Sequence, residues 1–319
     1  MGGELLDGGK VSFLVVGVGA IGSAYLAFLT RAGHRAIGLV KRGRRLDRIR
    51  VEGIWGCFET PVRTVESLRE LDEVPDLIIL SVKSYDTESA LQEIAGLAED
   101  RTLLMIAQNG YGNYEKAVKV YGEGKVILSR VIFGSQLTAP GHVRITVCAD
   151  DVVIGDPSGR LSGEVLNRLA DLFTSAGIPT RHEENVYRYL WDKIIYNCAL
   201  NPLSALLEVP YGALAENPHT RELMDRIIDE VFAVMEAGNI ESFWRSAAEF
   251  REAFYGELIP PTAAHYASML ADLKKGRTEI DALNGAVCEL GRRFGVPTPA
   301  NEFVTLLVKA RELFRKLEG

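Results

Sequence analysis

The chain has 319 residues, of which 47% are hydrophobic and 25% charged, so its composition excludes a disordered or fibrous protein and its length favours two domains. A net charge of −7 disfavours nucleic acid and anionic membrane surfaces as partners. The cysteines form neither a CxxC nor a CxxH spacing, so we expect free thiols and no metal site; they are Cys57, Cys148, Cys198 and Cys288.

The beginning of the chain carries no targeting pattern that we recognise. Residues 1–10 are rich in glycine and contain Glu4 and Asp7, unlike a secretory signal. The apolar run at 11–18 is far shorter than the ~20 residues that a membrane helix needs. We therefore expect a cytoplasmic protein whose partner is a small molecule.

The first half of the chain alternates short apolar strands with helices, which is typical of a doubly wound α/β sheet. A turn at Pro140-Gly141 predicts a hairpin or an antiparallel edge within 139–154. The predicted strands are 11–16, 34–40, 77–82, 103–107, 126–132 and 152–154, and the predicted helices are 21–32, 89–97, 114–120 and 163–176.

From about Glu184 onward, β-branched runs give way to long helical patterns. These patterns predict a linker at 181–185, a nucleotide-binding domain over 1–183 and an all-helical domain over 184–319. Long amphipathic helices are also typical of subunit interfaces, so a homodimer is an option that the sequence leaves open. The predicted helices are 186–207, 219–237, 242–255, 262–273, 278–294 and 301–317.

A GxGxxG motif lies where the first predicted strand meets the first predicted helix. Gly17 permits a tight turn, Gly19 lets a pyrophosphate approach the backbone, and Gly22 allows close packing of helix on strand. The helix start at Ala20 and Ile21 would stabilise the negative charge. We predict a dinucleotide site here; the alternative is a glycine turn that binds nothing.

The residues after the second strand distinguish NAD from NADP. An acid there would bind the ribose hydroxyls of NAD, but the stretch begins Lys41-Arg42 and has no acid before Asp47. A basic side chain can pair with the 2′-phosphate, so NADP(H) is favoured. The pattern does not decide between Lys41 and Arg42, and a solvated basic turn is the alternative.

Polar residues also follow the third and fourth strands. Lys83 and Asn109 lie where the carboxyl edge of the sheet should be, which makes them candidates for contact with nicotinamide, ribose or substrate. An ordinary loop residue is the alternative for each, and Asn109-Gly110 is also a common turn.

The helical half contains two polar sets. Lys193, Asn197 and Asn201 are four residues apart and share one face of an otherwise apolar helix, where a lysine could protonate a carbonyl oxygen. Ser268 and Glu279 form the second set. The alternatives are a solvated helix face for the first set and helix capping for the second.

Five motifs together resemble the ketopantoate reductase (2-dehydropantoate 2-reductase) family, and the resemblance covers nearly the whole chain after about Lys10. They are the GxGxIG turn, Val82-Lys83, Gln108-Asn109-Gly110, Lys-x3-Asn-x3-Asn-Pro-Leu-Ser-Ala from Lys193, and Ser-Met-Leu-x-Asp from Ser268 with Arg-x-Glu-Ile-x-x-Leu-Asn-Gly from Arg277.

The resemblance implies an α/β Rossmann N-terminal domain, an all-α C-terminal domain like that of 6-phosphogluconate dehydrogenase, and an active site in a cleft between them. The implied reaction is NADPH-dependent reduction of a small 2-keto acid, 2-dehydropantoate, to pantoate, a step of pantothenate and coenzyme A biosynthesis. By similarity, Lys193 would be the general acid and Glu279 would bind the substrate hydroxyl and help to fix the lysine. Lys83 would lie beside the nicotinamide ribose. The substrate's polar ends would be held by Asn109, Asn197, Asn201 and Ser268.

Two positions depart from the family pattern. The stretch 131–135 replaces a small, Thr-rich segment, and Tyr211 stands where an Asn is often found. Both could alter the substrate pocket. The alternatives to the implied activity are a related dehydrogenase that reduces another 2-keto acid and a non-catalytic nucleotide sensor.

Overall fold

The computed structural model describes residues 11–98 and 101–318, which fold into two compact units. Unit 1 comprises the described residues up to Asn109 together with Asn113–Val186, and unit 2 comprises Gly110–Gly112 together with Tyr187 onward. The predicted α/β first half and helical second half are confirmed. The division into functional domains over 1–183 and 184–319 stays a prediction.

Unit 1 is built on an eight-stranded sheet with the order β12-β11-β8-β7-β6-β1-β2-β5. The six strands from β8 to β5 are parallel, and β11 pairs antiparallel with β8, so β11 and β12 run in the opposite direction. The central strands are apolar and buried, as a sheet covered on both faces requires. The strands are β1 Ser12–Val16, β2 Arg35–Leu39, β5 Arg63–Val65, β6 Leu77–Leu80, β7 Leu103–Ile106, β8 Val126–Arg130, β11 Val152–Gly155 and β12 Thr180–His182.

A second, four-stranded sheet corrects the expectation for 139–154. The predicted hairpin exists, but it is not an edge of the main sheet: it pairs with two strands that the sequence pattern did not indicate. The order is β4-β3-β10-β9, with β3 Arg48–Gly53, β4 Phe58–Pro61, β9 Phe133–Ala139 and β10 His142–Cys148. Its aromatic residues pack on the first helix, α1 Ala20–Arg31, where Phe28 contacts Trp55 and Phe58.

Among the described residues of unit 1, four α-helices accompany the main sheet. Helix α1 is buried from Gly22 to Leu29, and helix α4 ends at Gly177, which has the left-handed conformation that is common for glycine at a helix end. The helices are α1 Ala20–Arg31, α2 Thr87–Ile94, α3 Asn113–Tyr121 and α4 Gly163–Ala176.

Unit 2 contains seven α-helices among its described residues. Three predicted helices are shorter than expected: the pattern at 242–255 becomes a helix from Ala247 and a π-helical turn, the pattern at 262–273 is helical only from Ser268, and the pattern at 278–294 begins as a 3-10 turn. The helices are α5 Val186–Leu207, α6 Tyr211–Glu216, α7 Pro218–Ala237, α8 Ala247–Ala253, α9 Ser268–Leu273, α10 Asn284–Phe294 and α11 Pro299–Glu318.

Helix α5 contains a proline in its interior, Pro202. Proline has no N–H, so the carbonyl of Cys198 loses its usual partner four residues on. The side chain of Asn284 supplies a substitute, because its Nδ2 donates to the Cys198 carbonyl at 3.0 Å and to Asn301 Oδ1 at 3.0 Å. Asn301 in turn donates to Glu230 at 2.8 Å. This buried chain of hydrogen bonds ties helix α5 to α10, α11 and α7.

Three further observations concern membrane-spanning helices, metal sites and cysteines. Among the described helices, none is long and apolar enough to span a membrane. Within residues 11–98 and 101–318, no group of three or more His, Cys, Asp or Glu residues is placed to hold a metal ion. All four cysteines are free; Cys57 is exposed, and burial raises the pKa of the Cys198 thiol well above its usual value.

Candidate functional site

The loops at the carboxyl ends of the parallel strands gather the predicted nucleotide residues at one edge of the unit 1 sheet. Strand β1 lies between β2 and β6, so connections leave its two sides in opposite directions. Such a switch point is where open α/β sheets bind ligands. Gly17 follows β1, Lys41 follows β2, Lys83 follows β6 and Asn109 follows β7, which places all four at this edge.

The three motif glycines occupy three different environments. Gly17 has a positive φ of 90°, and a Cβ there would overlap the Val82 backbone. A Cβ at Gly22 would overlap the Gly17 carbonyl and the Ser81 hydroxyl, so helix and turn touch at this point. A Cβ at Gly19 would meet no atom within 4 Å, which leaves open space in front of the helix start. The turn therefore has the shape that a pyrophosphate requires.

The electrostatics of helix α1 also suit an anion. Gly19 precedes its first residue, Ala20, and this fully described helix has no acidic residue in its first turn. The backbone N–H groups of a helix start carry partial positive charge, which favours phosphate. The Ala20 carbonyl accepts a hydrogen bond from Ser135 Oγ at 2.9 Å. Residues 131–135, which differ from the family pattern, therefore contact this turn through strand β9.

The basic turn after β2 divides into partnered and unpartnered side chains. Lys41 Nζ donates to Asp86 at 3.0 Å, and Arg45 is held by Glu70 at 2.6 Å. Among the described residues, the exposed side chains of Arg42 and Arg44 make neither a hydrogen bond nor an ion pair. These two guanidinium groups are therefore the ones that an incoming phosphate would not have to detach from a carboxylate.

A buried network joins the loops after β6 and β7. Gln108 Nε2 donates to the Val82 carbonyl and to Thr87 Oγ1, both at 2.8 Å. Thr87 donates to Asn113 Oδ1 at 2.9 Å, and Asn113 Nδ2 donates to the Asn109 carbonyl at 3.0 Å. The network fixes the backbone beside Lys83 and at Asn109. It also makes Asn109 more than a free turn residue, since its carbonyl is a fixed acceptor.

In unit 2, helix α5 presents the first polar set along one face. The side chain of Asn197 is half-buried and finds no hydrogen-bond partner among the described residues, while Lys193 is also half-buried. Asn201 is buried, and its Oδ1 accepts a hydrogen bond from the Tyr211 hydroxyl at 2.8 Å. Burial raises the pKa of Tyr211 well above its usual value, so the phenol stays protonated and remains a donor. This hydrogen bond orients the Asn201 amide and leaves its Nδ2 group available as a donor.

The second polar set lies in the segment that precedes helix α10. Glu279 is 9% exposed and directly precedes a 3-10 turn, Ile280–Ala282, but its side chain does not cap that turn. The hydroxyl of Thr278 performs this task by accepting from the Ile280 N–H at 3.3 Å. The capping alternative therefore does not account for the Glu279 carboxylate. Ser268 is exposed and is the first residue of helix α9, whose N-cap residue, Ala267, provides no side-chain capping hydrogen bond.

The two polar sets of unit 2 are connected in two ways. Asn284, five residues after Glu279, donates to the Cys198 carbonyl in helix α5, next to Asn197. The short segment Gly110–Gly112 packs in the same unit: the Tyr111 N–H donates to the Ala282 carbonyl at 2.8 Å, and the Tyr111 ring lies 5.4 Å from that of Trp191.

Several structural partners of the candidate residues escaped the sequence analysis. Gln108, Thr87 and Asn113 look like ordinary polar residues in sequence, and only the fold brings them together. A signal existed for Asn284: a proline inside a long helical pattern demands a substitute donor, although the pattern does not say which residue provides it.

Comparison with known proteins identifies the family of the chain. The family described as ketopantoate reductase PanE/ApbA matches residues 13–159, and its C-terminal part matches residues 185–312. The 2-dehydropantoate 2-reductase of Aquifex aeolicus is 65% identical over 304 residues, covering 95% of this chain and 98% of the relative.

Solved structures show the same fold. A PanE/ApbA family ketopantoate reductase from Ralstonia eutropha superposes with a TM-score of 0.84 at 29% identity, covering 95% of this chain and 99% of that one. A D-mandelate dehydrogenase in complex with NADH superposes with a TM-score of 0.80 at 25% identity, covering 94% and 98%. On the strength of both family matches and the Aquifex relative, this chain belongs to the ketopantoate reductase PanE/ApbA family.

Proposed function

We propose that the protein reduces 2-dehydropantoate to pantoate with NADPH, as a step of pantothenate and coenzyme A biosynthesis. The observation that carries the proposal is the 65% identity to a 2-dehydropantoate 2-reductase over almost the full length of both chains. The motifs at Lys193, Asn197, Asn201 and Glu279 support it, because a bare nucleotide-binding module would have no need of them. We expect the enzyme to act in the cytoplasm.

Unit 1 would hold the cofactor. The turn at Gly17, Gly19 and Gly22 leaves space for the pyrophosphate, and Ala20 and Ile21 would supply N–H groups from the helix start. Lys41 and Arg42 are the predicted partners of the 2′-phosphate. Because Lys41 is already paired with Asp86, Arg42 is the better candidate of the two. Arg44, which like Arg42 has no partner among the described residues, is a further candidate. Lys83 and Asn109 would contact the nicotinamide ribose. When bound, NADPH supplies the hydride that C2 of the keto acid accepts.

Unit 2 would bind the keto acid and deliver the proton. Lys193 would protonate the oxygen at C2 as negative charge develops there. Glu279 would accept a hydrogen bond from the substrate hydroxyl and hold the Lys193 ammonium in place. The substrate's polar ends would be held by four side chains. They are the Nδ2 group of Asn201, which Tyr211 orients, the unpartnered amide of Asn197, the exposed hydroxyl of Ser268, and Asn109.

A second candidate is the reduction of a different 2-keto acid by the same residues. The observation that favours it is the shared fold with a D-mandelate dehydrogenase that binds NADH. This fold therefore accommodates another hydroxy acid and the other nicotinamide cofactor. The two candidates differ in substrate and cofactor preference, and they assign the same role to Lys193.

Steady-state oxidation of NADPH and NADH with ketopantoate, pyruvate and 2-ketoisovalerate tests the proposal. We expect turnover with ketopantoate and a preference for NADPH. Lys193→Ala should lower kcat by about 10²- to 10⁴-fold, the range for loss of a general acid, with little change in NADPH affinity. Lys116→Ala, which removes a lysine from an exposed ion pair in unit 1, is the matched control and should behave like the wild type.

Other outcomes would redirect the proposal. Equal losses of turnover and of cofactor affinity in Lys193→Ala would remove the acid role from this lysine. Preferred turnover of pyruvate or 2-ketoisovalerate would favour the second candidate. Tight NADPH binding without turnover of any of the three acids would leave a nucleotide-binding protein of another function.

A further inference from the structure

Helix α11 carries a continuous row of large apolar side chains that face solvent. They are 41% to 83% exposed, although they belong to the residue types that are most often buried. We call this row the α11 stripe; it consists of Phe303, Leu306, Leu307, Leu313, Phe314 and Leu317, with Ala310 at its centre.

The α11 stripe is separate from the face by which the helix is attached to its own unit. Asn301, Val304, Thr305 and Val308 are buried on the other side, where α11 packs on α7, α9 and α10. The helix is therefore held in place without the stripe. Exposed apolar patches of this size on a folded chain usually mark an interaction surface.

The spacing of the α11 stripe is that of a helix-pairing seam. Phe303, Ala310 and Leu317 are seven residues apart, as are Leu306 and Leu313, and Leu307 and Phe314. A strict seven-residue repeat keeps one apolar row facing a partner helix along its length. The small side chain of Ala310 would let two helices approach closely at the centre.

The stripe is also symmetric about Ala310. Counting outward from this residue, Leu307 corresponds to Leu313, Leu306 to Phe314 and Phe303 to Leu317. If a second copy of the helix is laid antiparallel with a two-fold axis through Ala310, each of these positions meets its counterpart, and each Phe meets a Leu. This is the self-complementarity that a two-fold symmetric interface needs.

We propose that the α11 stripe binds the α11 stripe of a second copy of this chain, antiparallel about Ala310, and so forms a homodimer. The six large side chains expose on the order of 550 Å² in total, taking ~150 Å², the lower end of the range for an aromatic side chain, for each one when fully exposed. A stable interface takes ~800 Å² from each partner. The stripe with its immediate surroundings thus approaches the area that a stable dimer needs. This proposal does not depend on the reaction that the protein catalyses.

Sedimentation velocity across a wide range of protein concentrations tests the occupant. The wild type should sediment as a dimer, and Leu306→Glu should weaken dimerisation by on the order of 100-fold, because it places a charge in the centre of an apolar interface. Circular dichroism should show unchanged helix content, since the side chain is exposed in the chain itself. Leu137→Glu, at an exposed leucine on strand β9, is the matched control and should remain dimeric.

A charge swap tests the register. In the antiparallel arrangement, position 306 of one copy faces position 314 of the other, so Phe314→Lys alone should also weaken the dimer while Leu306→Glu with Phe314→Lys in one chain should restore it. A monomeric wild type, or a Leu306→Glu variant that remains dimeric, would overturn the proposal. Restoration in a mixture of Leu306→Glu and Leu306→Lys chains, but not in the double variant, would overturn the antiparallel register.

Discussion

At the scale of single residues, the basic turn after β2 shows why a count of charges does not identify a phosphate ligand. Lys41, Arg42, Arg44 and Arg45 look equivalent in sequence. In the structure, Asp86 engages Lys41 and Glu70 engages Arg45, although these acids are 45 and 25 residues away. A phosphate that recruited either of the engaged residues would have to compete with a carboxylate, so the cost of binding differs among the four.

We expect Arg42→Ala and Arg44→Ala to raise the KM for NADPH more than Lys41→Ala does, and to leave the KM for NADH unchanged. Loss of a charge-assisted hydrogen bond to phosphate should raise the KM about 10-fold or more. Steady-state kinetics with both cofactors provides the measurement. If Lys41→Ala had the largest effect, the pairing with Asp86 would have to be exchanged on binding; equal effects on NADPH and NADH would argue against a 2′-phosphate contact in this turn.

The sequence was sufficient to identify the candidate residues, but not the hydrogen-bond partners that surround them in the fold. The positions of Gly17, Gly19 and Gly22 followed from the motif, because the motif itself specifies a strand, a turn and a helix. Their roles in ligand binding, like those of Lys193 and Glu279, stay predictions. Tyr211 was noted as a departure from the family pattern, but its hydrogen bond to Asn201 depends on a contact between two helices that no local pattern reveals.

At the scale of secondary structure, helix α5 lacks one backbone hydrogen bond because of its internal proline, and a side chain of helix α10 replaces that bond. Pro202 removes the donor for the Cys198 carbonyl, and Asn284 replaces it from the first residue of α10. The polar face with Asn197 and Asn201 therefore spans the point at which α5 depends on its neighbour. Stability and the position of this face are coupled at Asn284.

Asn284→Ala should lower the free energy of unfolding by about 1–3 kcal/mol, because it leaves a buried carbonyl without a donor. In a Pro202→Ala background the same substitution should cost less, since the alanine N–H can bond the Cys198 carbonyl. Urea unfolding of the wild type, both single variants and the double variant gives this coupling. Additive effects would mean that Asn284 does not substitute for the missing N–H. The matched control is Asn217→Ala, which removes the N-terminal cap of helix α7 and should show no coupling to Pro202.

The elements that the sequence pattern missed are the ones that depend on distant partners. In strand β3, buried Ile49 and Val51 alternate with exposed Arg48 and Arg50, so its hydrophobic content is low. It pairs with β10, about 90 residues later in the chain, which no local window detects. The short, fully buried apolar strands β6 and β7 and the 22-residue helix α5 were predictable because their own composition sufficed.

At the scale of the whole molecule, a charged cluster around Asp150 connects strands of the main sheet, and we expect it to contribute to stability against acid. Asp150 accepts hydrogen bonds from Arg181 at 2.7 Å and from Arg130 at 2.7 Å, and Arg130 is almost fully buried. Arg181 first, and then Arg130, hold the pKa of Asp150 well below its usual value. Asp150 thus joins β8 to β12, the last strand before the chain enters unit 2.

Because the pKa of Asp150 is lowered in the folded state, its contribution is fully present above the unfolded-state pKa of ~3.9 and is lost as the pH falls from there towards the folded value. We expect Asp150→Asn to reduce the free energy of unfolding at neutral pH by about 1–2 kcal/mol, a figure reduced for the partial exposure of the carboxylate. The difference from the wild type should shrink below about pH 4.

Urea unfolding at a series of pH values measures this difference. Glu123→Gln, which removes an exposed ion pair with Arg160, is the matched control and should cost less than ~0.5 kcal/mol at any pH. A difference between Asp150→Asn and the wild type that stayed constant down to strongly acidic pH would mean that the ionised carboxylate is not what stabilises the cluster.

The placement of Gly110–Gly112 in unit 2 has a consequence for how such a protein can be rearranged. The backbone leaves unit 1 after Asn109, returns at Asn113 and leaves again after Val186. A hybrid assembled from two relatives by a single exchange near residue 186 would therefore take the Tyr111 ring from one parent and the Trp191 ring that it packs against from the other. Inheritance of the helical half as one intact module requires these three residues to be exchanged with it.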